Sequence, residues 1–148
     1  MIRKAKIPDV PRIIEISAEI HKKSVFSHIK LDRKYYSDMI IHSIREQKTR
    51  DVWVDVVDEK VEGFIIGALQ PMFFSPELHA TDLMFGTTEK GNGYKLFRSF
   101  LKWVEGKKDV RLIVQYLGYG IPGWERTGKL YEKQGLERIG AIYMKKGK

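Results

Sequence analysis

The side chains best suited to chemistry fall in two stretches of this sequence, the first of which spans residues 81–97. Its pattern predicts a strand, a glycine-containing loop and a helix. Gly91 and Gly93 would let the backbone approach a ligand, because glycine has no Cβ atom. A helix N-terminus presents unpaired N–H groups and about half a positive charge. The junction therefore suits a phosphate or pyrophosphate, although an ordinary strand-to-helix loop explains the same residues.

The second stretch, residues 128–145, places Tyr131 on a short predicted helix that stops at Gly135. A phenol can donate a proton, or a hydrogen bond, to a leaving group. A tyrosine that simply packs in the core of an amphipathic helix is the competing interpretation.

Hydrophobic periodicity predicts the elements that must position these groups. The predicted order is β-α-α-β-β-β-α-β-α-β. Strands are expected at 1–6, 52–57, 61–69, 78–85, 110–116 and 139–144, and helices at about 9–22, 32–47, 94–105 and 124–134. Asp32 is predicted to cap the second helix, and Gly63 and Gly67 weaken the third strand or mark bulges in it.

Composition limits the classes of protein to consider. A chain of 148 residues suits one domain, 1–148, and its 43% hydrophobic and 31% charged residues are typical of a globular protein. The absence of cysteine excludes a disulfide scaffold, a thiol nucleophile and a cysteine-ligated metal centre. The four histidines show no metal-ligand spacing, so no metal is predicted.

The net charge of +8 favours anionic partners, such as nucleic acid or a phosphorylated small molecule, without choosing among them. Apolar runs are strand-sized, which predicts no membrane span. No apolar signal core follows the N-terminus, so a cytoplasmic location is expected.

Taken together, the two stretches resemble the GNAT superfamily of acyl-CoA-dependent N-acetyltransferases. The family carries R/Q-x-x-G-x-G/A at a strand–loop–helix junction, and an L-Y-E-K-x-G-F-like helix before a strand. Leu130-Tyr-Glu-Lys-Gln-Gly-Leu136 is similar to the second signature, and the element order fits over nearly the whole chain. The segment before the tyrosine helix is similar to small GNAT proteins of tailed bacteriophages.

The resemblance implies an α/β fold: a mixed, mostly antiparallel sheet flanked by helices, with strands four and five splayed apart. Acetyl-CoA, as cosubstrate, would lie in that opening. Its pantetheine would pair with the backbone of the fourth strand, its pyrophosphate would rest on amides of residues 89–95, and Tyr131 would serve the departing thiolate. The implied cofactor-binding residues are Leu83, Met84, Phe85, Thr88, Glu89, Lys90, Gly91, Asn92, Gly93, Tyr94 and Lys95.

The sequence departs from the family pattern at two points. Thr88 stands where the family has Arg or Gln, so the hydrogen bond remains but the charge is lost. In a shifted register Lys90 would take the basic position of the motif, with Lys95 on the final small residue. In the preferred register Lys90 can still reach a phosphate through its long side chain. Trp124 falls near the place of the family's asparagine after strand five, where it either caps the cleft or forms a homodimer contact.

Members of the family often use a carboxylate on the fourth strand as general base. Asp82 lies near that position, and the competing interpretation makes it a solvated edge carboxylate. Phe26, His28 and His79 are further candidates to face the substrate, with a mobile basic loop and a surface histidine as the alternatives.

The leading hypothesis is transfer of an acetyl group from acetyl-CoA to a primary amine on a small molecule or a protein. A degenerate GNAT fold that binds without catalysis is the first alternative. A basic protein associated with nucleic acid is the second, although aromatic residues do not interleave with the basic clusters as single-strand stacking requires.

Overall fold

A five-stranded mixed sheet forms the centre of the computed structural model, which describes residues 1–115 and 121–147. The strands follow one another in chain order across the sheet, with antiparallel pairing from β1 to β4 and parallel pairing between β4 and β5. They are β1 (Ile2–Lys4), β2 (Arg50–Val57), β3 (Lys60–Met72), β4 (Ser75–Thr87) and β5 (Val110–Ile113). This arrangement confirms the predicted sheet.

In the described part of the chain, four α-helices cover the two faces of the sheet. They are α1 (Val10–Lys23), α2 (Arg33–Arg45), α3 (Gly93–Glu105) and α4 (Trp124–Lys133). Asp32 caps α2 as predicted, since its carboxylate accepts a 2.9 Å hydrogen bond from the amide of Tyr35. Among the described residues, none of the helices has the length and apolar character needed to cross a bilayer.

Two apolar clusters hold the layers together, one on each face. The first joins α1 and α2 to the sheet around Ile13, Ile40 and Phe64, which are fully buried. The second joins α3 and α4 to the opposite face around Phe97 and Tyr131. Burial of this apolar surface is the main source of stability, and it fixes α1 and α4 on opposite sides of the sheet.

Strand β4 separates from β5 partway along its length. Among the described residues, β5 pairs only with the segment Leu78–Ala80, and a 2.9 Å hydrogen bond from Val114 N to Ala80 O follows at the end of this pairing. β4 continues to Thr87 against β3 alone. The register against β3 also shifts between Met84 and Asp82, which leaves Leu83 as the extra residue of a bulge. The predicted splay of strands four and five is confirmed.

Two sequence-based boundaries were wrong. The sequence predicts that the third strand ends at Leu69 and the fourth begins at Leu78, but β3 continues through Pro71, which pairs with Leu78. Proline is tolerated there because the pairing of β2 with β3 stops at Ala68, so Pro71 lies on a free edge.

The predicted last strand, 139–144, does not form. Residues 136–147 make no backbone ladder, and Ile139 and Tyr143 are exposed. Gly140 interrupts the apolar pattern, and β5 is only four residues long, so little strand is available as a template. Most of the connection predicted at 117–123, and the end of the predicted fifth strand at Tyr116, lie outside the described residues.

Candidate active site

A cleft of about 830 Å³ opens where β4 leaves β5. Residues 82–89 of β4 and the following loop form its floor. Helix α1 with Arg33 forms one wall, and the segment 121–131 forms the other. Of the residues predicted from sequence, the cleft brings together Asp82, Leu83, Met84, Phe85, Thr88, Glu89 and Tyr131.

Asp82 lies on β4 two residues after Ala80, which belongs to the cluster beneath α3 and α4. Alternation along the strand therefore directs Asp82 to the α4 side of the sheet. Burial raises the pKa of its carboxyl group to about 7, against a small opposing effect of a backbone hydrogen bond. A carboxylate with this pKa exchanges protons near neutral pH, as a general base must.

Tyr131 reaches the cleft because α4 is closed by glycine at both ends. Gly123 at the N-cap and Gly135 just past the C-cap both have φ of 87°, a left-handed conformation that favours glycine. The predicted stop at Gly135 is thus confirmed. The Tyr131 ring packs against Phe97, with ring centroids 4.7 Å apart.

The hydroxyl of Tyr131 stays protonated over the whole useful pH range. Burial raises the pKa of Tyr131 well above its ordinary value, and the negative charge of Asp82 raises it further. The two groups therefore interact electrostatically within one cleft. Tyr131 is both a core residue and a hydrogen-bond donor, so the two interpretations of the sequence do not exclude each other.

The loop between β4 and α3 is anchored to β3 by the protein itself. The backbone N–H and the hydroxyl of Thr88 donate hydrogen bonds of 2.8 and 2.6 Å to the backbone carbonyl and the carboxylate of Glu62. Thr88 lines the cleft, but its hydroxyl and its amide are both engaged with Glu62, so it holds the loop to β3.

Most amides of the predicted phosphate cradle already have protein acceptors. The amide of Lys90 donates to the Thr88 hydroxyl, that of Gly91 to the Thr88 carbonyl, that of Asn92 to Asp55, and that of Lys95 to the Asn92 side chain. In the described part of the chain, the amides of Glu89, Gly93 and Tyr94 have no such acceptor. Any anion at this turn would rely on those three groups.

Packing alone accounts for both glycines of the loop. A Cβ atom on Gly91 would overlap the backbone carbonyl oxygen of Glu62, and one on Gly93 would lie 3.1 Å from the Phe85 ring. The side chains of Lys90, Tyr94 and Lys95 are exposed and do not line the cleft.

The predicted substrate residues lie apart from the cleft. Phe26 and His28 belong to the loop 24–32 between α1 and α2, where His28 Nδ1 lies 3.1 Å from the Val25 carbonyl oxygen. His79 pairs with Gln70 and Leu112 in the sheet, with a buried Nδ1 atom that lacks a partner. None of the three is among the described residues that line the cleft. Trp124 does line it and is 41% exposed.

Sequence reasoning missed the contribution of α1. Its cleft-lining residues include four charged ones, Arg12, Glu15, Glu19 and Lys23, with Arg33 from α2 beside them. The spacing of three to four residues is that of one helix face, which is the signal that could have found them. What the sequence did not show is that this face lies over β4, where Ile20 packs so closely on Gly86 that a Cβ atom there would overlap it.

The sequence matches no protein-family model and no curated protein. Similar solved structures exist. Ribosomal-protein-alanine N-acetyltransferase from Brucella melitensis has a TM-score of 0.75 at 16% identity, over 95% of this chain and 86% of that one.

Two further structures cover almost all of both chains. The BH1408 protein of Bacillus halodurans, in a mutant form, has a TM-score of 0.73 at 15% identity, over 99% of this chain and 98% of that one. An aminoglycoside acetyltransferase from an uncultured soil metagenomic sample, in complex with sisomicin, has a TM-score of 0.64 at 14% identity, over 99% and 96%. At these identities the likeness concerns architecture, and the chain has the fold of the GNAT acetyltransferases.

Proposed function

We propose that this chain is an N-acetyltransferase that moves an acetyl group from acetyl-CoA to a primary amine. The observation that carries the proposal is the pairing of Asp82, whose pKa is about 7, with the protonated Tyr131 in one cleft. A base poised near neutral pH and a donor that remains protonated are the two groups that aminolysis of a thioester requires.

The residues present fit the pantetheine arm of acetyl-CoA. Beyond Ala80, the β4 edge that faces away from β3 has no ladder partner among the described residues, so the main chain around Leu83–Phe85 can pair with the amides of an extended ligand. The pyrophosphate would meet the amides of Glu89, Gly93 and Tyr94 at the start of α3.

When bound, acetyl-CoA would supply the acetyl group, with a C–N bond formed to the amine as the C–S bond breaks. An amine that arrives as an ammonium ion must lose two protons. Asp82 takes one of them, which frees the nitrogen lone pair for attack. The Tyr131 hydroxyl would lie on the sulfur side, where it would donate its proton to the departing thiolate. The second proton of the amine would then return to the Tyr131 phenolate, and the proton held by Asp82 would leave to solvent, so that both residues end as they began.

A second candidate is a GNAT fold that binds a ligand without catalysis. It is favoured by the loop after β4, in which the amides of Lys90, Gly91, Asn92 and Lys95 are already satisfied and Thr88 is bonded to Glu62. Such a turn offers an anion fewer donors than the family signature implies.

Two measurements on the purified chain separate the candidates. Incubation with acetyl-CoA and a panel of primary amines, followed by mass spectrometry of the amines and a thiol assay for released CoA, tests transfer. Thermal unfolding with acetyl-CoA, and with adenine as the control, tests binding. We expect a product 42 Da heavier than its amine, and stabilisation by acetyl-CoA only. Stabilisation without product from any amine would support the binding protein. The absence of both stabilisation and product would exclude both candidates.

A further inference from the structure

The α1 wall of the cleft carries unbalanced charge. Its two carboxylates are already neutralised by neighbours on the same helix. Glu15 accepts a 2.9 Å hydrogen bond from Arg12, and Glu19 one of the same length from Lys22. These ion pairs leave little negative potential for a cationic ligand on this wall.

Two cations of the same wall are uncompensated. Lys23, the last residue of α1, and Arg33, the first residue of α2, both line the cleft. Among residues 1–115 and 121–147, the side chain of neither makes a hydrogen bond or an ion pair with another residue. The charge of Lys23 acts on Glu19 only at longer range.

The carboxylates elsewhere in the cleft do not cancel these cations locally. Asp82 faces the α4 side, where its charge interacts with Tyr131. Glu89 lies in the loop that Thr88 ties to Glu62. Glu62 lies 3.3 Å from the Arg12 guanidinium, so this loop is near the first turn of α1. The surplus positive charge of the cleft therefore lies on the wall formed by α1 and Arg33.

The two walls divide the cleft between the two reactants. In the proposed function the acyl donor occupies the side of Tyr131 and α4. The α1 wall is then the side of the cleft left to the amine, which reaches the Asp82 carboxylate through the opening between β4 and β5, because residues of α1, Asp82 and Tyr131 all line that one cleft. An acceptor on that path passes Lys23 and Arg33 before its nitrogen reaches Asp82.

We infer that the acceptor is an amine that also carries an anionic group, a carboxylate or a phosphate, which Lys23 and Arg33 bind while the amine faces Asp82. This inference rests on the proposed function and adds the class of acceptor. The guanidinium group of Arg33 suits an oxyanion in particular, because its fork of donors matches two oxygens at once. Polycationic amines are disfavoured at the same wall.

Three amines of matched length test the inference. 4-Aminobutanoate, 4-aminobutan-1-ol and 1,4-diaminobutane differ only in whether the far group is negative, neutral or positive. Their dissociation constants are measured by ligand-observed NMR titration with CoA present, which does not require turnover. The same amines are then assayed for acetylation by mass spectrometry. The variant is Lys23→Gln/Arg33→Gln, and the matched control is Lys30→Gln, which removes an exposed lysine of the loop 24–32 that neither lines the cleft nor pairs with one of its carboxylates.

We expect 4-aminobutanoate to bind about tenfold more tightly than 1,4-diaminobutane at low ionic strength. That preference should disappear in the double variant and persist in Lys30→Gln. Equal affinities, tighter binding of the diamine, no detectable binding of any probe, or a preference that survives the double variant would each overturn the inference. Acetylation of all three amines without preference would overturn it while the proposed function stands. Selective binding of 4-aminobutanoate without any acetylated product would support the inferred class of ligand and contradict the proposed function.

Discussion

The hydroxyl of Thr88 donates a 2.6 Å hydrogen bond to Oε2 of Glu62, a residue 26 positions earlier in the chain on β3. That bond, aided by the nearby Arg12, holds the pKa of Glu62 below its usual value even though burial opposes it. Glu62 is 6% exposed, so its carboxylate depends on these partners. Thr88 thus fastens the loop between β4 and α3 to the sheet.

Replacement of Thr88 by valine should destabilise the protein by about 1–3 kcal/mol, because it removes a donor from a buried carboxylate while the shape of the side chain is kept. Urea denaturation at pH 7 measures the free energy of unfolding. Thr49→Val, at an exposed threonine, is the control and should change the free energy by less than about 0.5 kcal/mol. A loss for Thr88→Val no larger than that of the control would mean that the bond adds nothing to stability.

The two loop glycines should respond differently to alanine. Gly91→Ala places a methyl group on the backbone of β3 at Glu62, which cannot move aside, so a loss of about 1–3 kcal/mol or more is expected. Gly93→Ala meets only the edge of the Phe85 ring, and it gains helix propensity at the first position of α3. Its change should stay within about 1 kcal/mol of zero.

Thermal and urea unfolding of the two alanine variants provide the comparison, and each glycine serves as the control for the other. Equal losses in both would show that steric overlap with β3 is not what requires glycine at position 91. The result does not depend on any ligand, which separates the packing role of these residues from the proposed phosphate contact.

Local signals in the sequence predicted local structure well. The cap at Asp32 and the stop at Gly135 depend on residues within one turn of each other, and both are confirmed. Asp82 and Tyr131 were each predicted as functional residues, but only the fold could show that they share a cleft.

Contacts between distant segments were not predictable in this way. The role of Thr88 depends on Glu62, and the place of Arg12 depends on how α1 crosses β4, neither of which leaves a pattern in the sequence. The prediction of a last strand at 139–144 was wrong for a related reason. Apolar residues at 139–144 predict a strand only if a neighbouring edge accepts it, and β5 ends at Ile113.

The proposed role of Asp82 predicts a pH dependence of kcat/KM. Activity should rise as Asp82 loses its proton, with an inflection near pH 7, because only the carboxylate form accepts a proton from the ammonium group. In Asp82→Asn the inflection should vanish and kcat/KM at pH 8 should fall by about 100-fold or more. The rise due to titration of the amine itself should remain.

Glu132→Gln, at an exposed carboxylate on α4, is the control and should keep the inflection. Steady-state rates from pH 5.5 to 9 with one amine provide the profile. If Asp82→Asn retains the inflection near pH 7, another group is the general base.

Tyr131→Phe should lower kcat by about 100-fold and change the KM for acetyl-CoA by less than about threefold. The ring and its contact with Phe97 are kept, so the loss would be confined to the hydroxyl. Tyr143→Phe, at a tyrosine that is 94% exposed, is the control. An unchanged kcat would remove Tyr131 from the reaction, whereas equal changes in kcat and KM would assign it to ligand binding.

The raised pKa of Asp82 also predicts that this group lowers the free energy of unfolding at neutral and higher pH. Unfolding lets Asp82 ionise near pH 4, whereas in the folded protein it keeps its proton up to about pH 7. Between those values the folded state binds more protons than the unfolded state, so this group makes the free energy of unfolding fall as pH rises. Above pH 7 the penalty is complete, with an upper limit of about 4 kcal/mol for a shift of this size.

Asparagine carries no charge at any pH, so Asp82→Asn should be more stable than the wild type at pH 8 by a margin that exceeds its margin at pH 5 by about 2–3 kcal/mol. Urea denaturation at both pH values measures it, and Asp109→Asn, at an exposed carboxylate, should give equal margins. A margin for Asp82→Asn that is independent of pH would show that the folded protein does not raise this pKa. Without a raised pKa, Asp82 would not be tuned to accept protons near neutral pH, and the case for it as the general base would fail.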